Sequence, residues 1–313
     1  MEKAKLPGDA GNNALGQLIR LIDDNSPLSK SLDEKVIGNG FRAARIGLTG
    51  PPGSGKSSLI ASAVPVLEKM DKKVGILAVD PTSPFSGGAI LGDRIRLKSP
   101  LGENIFFRSL ASRGALEGVS TTIGPASRVL DWWGTDIILI ETVGSGQLAT
   151  GVADVADYVV AVLTPESGDG IQSMKAGVME LADCFILNKS ERPGAELMIK
   201  ELEYIKEESE DMGRKVIVQA TVATEDHGIN STVENIVAHY NELLDSGEIQ
   251  RRRELQVRRE IESRIRKSIH ESAIDVMGGN EKYIERLKEA AGKILNGTLT
   301  PESASEEILK TRT

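Results

Sequence analysis

A chain of 313 residues with 40% hydrophobic residues and a net charge of −8 is long enough for one large domain, or one domain with appendages. The acidic balance argues against general nucleic-acid binding, and no apolar run approaches the length of a membrane span. Cys184, the single cysteine, lies in an apolar run; it excludes an internal disulfide and points to a reducing, cytoplasmic compartment.

In chain order, Met1 to Asn13 is polar and Gly-rich, unlike a signal peptide. Leu15, Leu18, Ile19 and Ile22 then fall on one helical face, which predicts a helix over about 14–24 packed on its own domain. Residues 1–40 read as an N-terminal helical segment. Residues 45–57 organise the rest. Gly50, Gly55, Lys56 and Ser57 match G-x-x-x-x-G-K-[ST], after a short apolar run at 44–49 and before helical periodicity at 57–70. The glycines let successive backbone N–H groups form a concave cradle for phosphates, and the helix behind adds its positive end. Lys56 can reach the β and γ phosphates, and the Ser57 hydroxyl can ligate Mg²⁺. The whole loop, Gly50, Pro51, Pro52, Gly53, Ser54, Gly55, Lys56, Ser57 and Ser58, is the candidate nucleotide cradle.

Further apolar runs predict strands at 74–79, 105–110, 136–140, 158–163, 184–187 and 215–219. Helices are predicted at 170–181, 194–208 and 231–244. Continuous apolar strands between amphipathic helices predict an α/β domain over 41–246, with a mainly parallel sheet covered on both faces. Ligands on such sheets sit beyond the carboxyl ends of the strands, where Gly50, Asp80, Glu141 and Asn188 fall. Past Ser246 the composition changes. Residues 249–270 carry seven Arg, one Lys and three Glu, with Val257, Ile261, Ile265, Ile269 and Ala273 every fourth residue. A long helix ending at Gly278-Gly279 is expected, then helices at 281–295 and from Thr300-Pro301. Residues 247–313 thus read as a helical extension whose stripe packs on the core or on another subunit.

Asp80 and Glu141 each end a predicted strand beside the loop, where a carboxylate can hold Mg²⁺ or its waters. Glu141-Thr142-Val143-Gly144 resembles the D-x-x-G segment of GTPases with Glu for Asp, and Gly144 can sense the γ-phosphate there. Asn188-Lys189-Ser190-Glu191 resembles the guanine-reading N-K-x-D motif. In this order after a phosphate loop, the motifs favour GTP over ATP.

The chain as a whole resembles the methylmalonyl-CoA mutase-associated GTPases (MeaB/ArgK type), related to metallochaperone P-loop GTPases. The residues carrying the resemblance are Gly47 to Ser57, Val79 to Pro84, Gly87-Gly88, Leu91 to Arg94, Arg108-Ser109, Ser112 to Ala115, Glu141 to Gly144, Gly146-Gln147, Glu180 to Asp183 and Asn188-Lys189. The match covers most of residues 14–310. It implies a P-loop NTPase fold and GTP hydrolysis to GDP. Asp80, Asp93 and Glu141 join Ser57 at the Mg²⁺ site, and Lys56, Glu141 and Asp93 are the candidate catalytic residues. It also implies a first switch within 80–124 and a third within 166–175, where Asp169 and Lys175 couple nucleotide state to the partner. The family forms homodimers through C-terminal helices. Its members gate cobalamin loading onto a cobalamin-dependent acyl-CoA mutase and protect it; cobalamin belongs to the mutase and not to this chain. No nucleic-acid or membrane partner is implied.

Three stretches depart from the family: Ser145 to Ala149 replaces V-G-Q-S-E, Gly170 stands where an acidic residue is usual, and Glu191 replaces Asp. A mutase for another branched or hydroxy acyl-CoA is compatible with these changes. A metal-delivery GTPase is the alternative, but it requires a Cys/His-rich site, and the chain has one cysteine and three scattered histidines, His227, His239 and His270. A nucleotide-sensing scaffold with incidental hydrolysis is a third reading, separable by turnover with and without the mutase.

Overall fold

The computed structural model describes residues 11–24, 26, 28–36, 41–80, 102–111, 123–142, 150–167, 177–276 and 278–310. Seven strands form one sheet in the order β3-β2-β4-β1-β5-β6-β7. They are β1 Ala44–Thr49, β2 Val74–Asp80, β3 Ile105–Ala111, β4 Ile137–Glu141, β5 Tyr158–Leu163, β6 Cys184–Asn188 and β7 Ile217–Thr221. Every pairing is parallel, as the unbroken apolar runs predict. The ladder of β7 starts at Ile217, whose N–H donates to Asp183 O. It runs to Thr221, two residues beyond the expected end, because Asn188 pairs with Thr221 in register.

Helices cover both faces. On one face lie α1 Gly11–Asp23, α2 Leu28–Val36, α4 Ile123–Trp133, α5 Val178–Leu181 and α6 Ala195–Asp211, packed over Leu77, Ile138, Ile140, Phe185 and Leu187. The other face carries α3 Lys56–Lys69 and α7 Ile229–Asp245, packed over Ile46, Leu48, Leu139 and Val160. The apolar stripe of Leu15, Ile19 and Ile22 is buried in its own domain, as its spacing predicts. Two helices lie outside the expected elements. α2 is short, seats Leu32 and Val36 against the core, and is fixed by the Asp33–Arg128 ion pair at 2.5 Å. α4 is buried on most sides, including Ser127, Arg128 and Asp131. The expected helix at 170–181 is described only from Val178 to Leu181; its first part lies outside the described residues.

The contact pattern divides the chain into a unit ending at Arg253 and a second beginning at Glu254. α8 Glu248–Val276 starts in the first unit and runs into the second; Gly278 and Gly279 after it are both at positive φ. Their N–H groups donate to Asp275 O and Ile274 O and end the helix. α9 Asn280–Leu295 and α10 Pro301–Lys310 follow, with Thr300 Oγ1 capping Ser303 N at 3.2 Å. Ile261, Ile265 and Ile269 of the predicted stripe are all more than half exposed.

At the amino ends of the central strands, opposite the phosphate loop, sits a buried charge network. Asp157, fully buried, takes Arg45 Nη2 at 2.6 Å and Arg253 Nη2 at 2.6 Å. Arg253 also donates to Ala43 O at 2.8 Å and to Phe41 O. Beside it, Arg252 makes a fork to Asp183 at 2.8 and 2.9 Å, and Asp183 accepts from Val159 N at 2.9 Å. Burial pushes the Asp157 carboxyl up, but the Arg45 and Arg253 guanidiniums outweigh it and hold the group below its usual 3.8. Neutralising one member of such a cluster strands the others as uncompensated buried charge. Asp157→Asn is therefore expected to lose about 3–5 kcal/mol of stability at pH 7. Because the folded-state pKa is depressed, that contribution is complete above the unfolded value of 3.8 and disappears as pH falls through the folded value. Melting temperatures of the two proteins should converge in acid; a gap independent of pH contradicts the charge argument.

Candidate functional site

Strand β1 ends at Thr49, and Gly50 to Gly55 turn the chain back into α3. Gly50 and Gly55 hold φ of 141° and 95°, values that side chains disfavour. Space is equally limiting. A Cβ on Gly50 would stand 2.1 Å from Val162 O, and one on Gly55 2.2 Å from Asn188 Nδ2. The loop is thus pressed against the ends of β5 and β6. Lys56, buried at the start of α3, donates to Gly50 O at 2.8 Å and Pro51 O at 3.2 Å. Burial lowers its pKa, and Glu141 partly offsets that.

Ser57 Oγ donates to Glu141 Oε1 at 2.5 Å, joining the first turn of α3 to the end of β4. Burial raises the Glu141 carboxyl, while the Ser57 hydrogen bond and the Lys56 ammonium pull it down. A hydroxyl and a carboxylate converging beside a phosphate cradle are hard oxygen donors of the kind Mg²⁺ accepts, and this cation takes few protein ligands. Asp80 closes β2, with its backbone opposite Ala111. Asp93, Gly144, Asp169 and Lys175, as well as the substituted stretch at 145–149 and Gly170, lie outside the described residues.

Asn188 and Lys189 at the end of β6 are brought directly onto the loop. The Asn188 amide donates to Ser54 O at 2.8 Å, and its Oδ1 accepts from Thr221 Oγ1 at 3.2 Å and Ala223 N at 3.1 Å. Lys189, at φ 59°, donates to Gly53 O at 2.7 Å. Ser190 is pinned by two bonds to Thr221 O, each 3.1 Å. Glu191 stays half exposed, 3.8 Å from Arg192, whose Nη1 pairs with Glu166 at 2.8 Å. That pair holds the Glu166 carboxyl down to about 2, and it links the Glu191 loop to the turn after β5. Thr221 and Ala223 were not singled out in the sequence. Their signal is positional, since Thr221 ends a strand in register with Asn188 and Ala223 follows two residues on. Pro52, Gly53, Ser57 and Ser58 are exposed at the loop and first turn, and Ser54 is buried behind them.

The model of the family "Methylmalonyl Co-A mutase-associated GTPase MeaB" matches residues 15–277. The chain belongs to this family. As a MeaB-family protein it is a P-loop GTPase, a hydrolase of GTP, in a family whose description associates it with methylmalonyl-CoA mutase. A protein of Pyrococcus horikoshii named "Putative GTPase" is 35% identical over 302 residues, covering 95% of this chain and 93% of the relative. A mouse protein named "Methylmalonic aciduria type A homolog, mitochondrial" is 33% identical over 275 residues, covering 85% and 65%. The solved structure titled "Crystal structure of LAO/AO transport system kinase" superposes with a TM-score of 0.67 at 22% identity, covering 96% of this chain and 93% of that one; it shares the fold.

Gly55→Ala tests the packing of this site. It forces a Cβ onto Asn188 Nδ2 at a φ of 95°, a strain of about 1–3 kcal/mol. GDP affinity measured by calorimetry should fall about tenfold or more, matching that energy at 1.4 kcal/mol per decade, with the far-ultraviolet spectrum retained. Unchanged GDP affinity would contradict the contact.

Proposed function

We propose that this MeaB-family GTPase uses Mg²⁺-dependent GTP hydrolysis to gate cobalamin loading onto a cobalamin-dependent acyl-CoA mutase, and to protect that mutase. The observation that carries the reading is the convergence of Lys56, Ser57–Glu141 and Asn188-Lys189 on one phosphate loop. Lys56 would place its charge on the β and γ oxygens. Ser57 and Glu141 would hold Mg²⁺, with Asp80 and Asp93 completing the acidic set; the ion, when bound, neutralises charge on the transferring phosphoryl group. Lys189 would lie against the base, with Asn188 fixing its loop. Asp169 and Lys175 would pass nucleotide state to the mutase. The exposed Ile261, Ile265 and Ile269 of α8 support a homodimer built through the helical extension, and the buried free thiol of Cys184 supports a reducing, cytoplasmic setting. Among the described residues no helix is long and apolar enough to cross a membrane.

Lys56→Ala should lower single-turnover GTP hydrolysis by about 10²–10³-fold, the scale of losing one preorganised charge or donor. Near-normal hydrolysis would remove the assignment. With purified mutase added, wild-type turnover and transfer of cobalamin to the apo-mutase should both depend on GTP. Lys175→Ala should keep intrinsic hydrolysis and lose the mutase's stimulation. Equal stimulation of both proteins contradicts the coupling role.

Glu191 would read the base. Guanine offers N1–H and its amine as adjacent donors, which a carboxylate accepts as a pair. Adenine presents an acceptor at N1 and leaves the carboxylate unsatisfied, costing about 1–3 kcal/mol. Glu191→Gln should therefore lose GTP affinity and gain XTP affinity in competition titrations. Unchanged GTP, ATP and XTP affinities would show that Asn188-Lys189 alone orient the base.

A further inference from the structure

Part of the central sheet keeps residual surface on the face covered by α3 and α7. Toward α1 and α4, Leu77, Ile138 and Ile140 have no accessible surface at all. Toward α3 and α7, Ile46, Leu48 and Leu139 of the same central strands keep 5%, 6% and 5%. This residual surface lines a partly open space on that face. That space is a cavity of about 60 Å³ bounded by the sheet, α3 and α7.

Its walls are aliphatic, with Leu48 and Val160 as floor and Ile236 among the facing residues of α7. Thr232 Oγ1, the one side-chain oxygen in the lining, is buried and without a hydrogen-bond partner. Ala63 of α3 and Val237 of α7 are the lining residues that keep intermediate exposure, so the mouth lies between them.

We propose that this cavity is a binding site for a small apolar molecule, of the size of a gas atom or a short hydrocarbon. A cavity holds water only where two to four polar partners meet it, and here there is one hydroxyl. The room exceeds the roughly 10–15 Å³ that a single water-sized sphere needs, so the walls lose dispersion contacts that an apolar guest restores. The site lies on the sheet face covered by the helix that begins with Lys56 and Ser57, and is separate from the phosphate cradle in lining and chemistry.

The test uses full-length, methyl-labelled protein titrated with dissolved xenon. Methyl resonances of Leu48, Val160 and Ile236 should shift saturably, while those of Ile138 and Ile140, on the closed face, stay in place. Ala63→Leu fills the mouth and Val233→Ile fills from α7; each should weaken xenon binding about tenfold or more while the remaining methyl spectrum stays dispersed. Absence of a saturable shift in the wild type overturns the proposal. So do equal shifts on both faces, or unaltered titrations in both filled variants.

Discussion

The nucleotide site depends on the buried side chain of Asn188. Its amide donates into the phosphate loop at Ser54 O, and its carbonyl oxygen accepts from Thr221 Oγ1 and Ala223 N beyond β7. Three loops that leave three different strand ends are thereby held by one side chain. Each bond contributes about 1 kcal/mol net, but stranding a buried partner costs about 1–3 kcal/mol, so the arrangement favours all three or none. Gly55 is glycine partly for this reason, since any Cβ there displaces the Asn188 amide. Lys189 then falls over Gly53 O, and the base-reading segment is placed by the same residue that braces the phosphate cradle.

The opposite ends of the strands carry the fixed charges. Asp157 and Asp183 precede β5 and β6, and they receive Arg45, Arg252 and Arg253 in a largely buried network. Tyr158 beside them bonds His239 Nδ1 at 2.8 Å, and burial lowers the His239 pKa. Such clusters fix geometry more than they add stability. Here they anchor the first turns of α8 to the base of the sheet, at the end of the strands opposite the phosphate loop.

Much of this was legible in the residues. The phosphate loop, the strand ends at Asp80, Glu141 and Asn188, and the apolar stripe of α1 follow from spacing, because glycine sterics, ladder burial and helical periodicity each leave a local mark. The contacts among them do not. Nothing in a linear reading says that Thr221 and Ala223 hold Asn188, or that Arg192 reaches Glu166, since these are meetings of residues far apart in the chain. α2 and α4 were not read from the residues; Arg128 of α4 pairs with Asp33 of α2, and both helices pack into the same core. In the sequence Arg252 and Arg253 are two of seven arginines in a basic run, whereas both are folded against the amino ends of the strands.

Amide hydrogen exchange in wild type and Asn188→Ala addresses the central role of Asn188 most directly. The Ala223 N–H has the Asn188 side chain as its acceptor, so its protection should collapse in the variant, while the β1–β5 ladder amides exchange as before. Undiminished protection at Ala223, or a loss spread evenly through the sheet, would contradict the view that one side chain holds the three loops together.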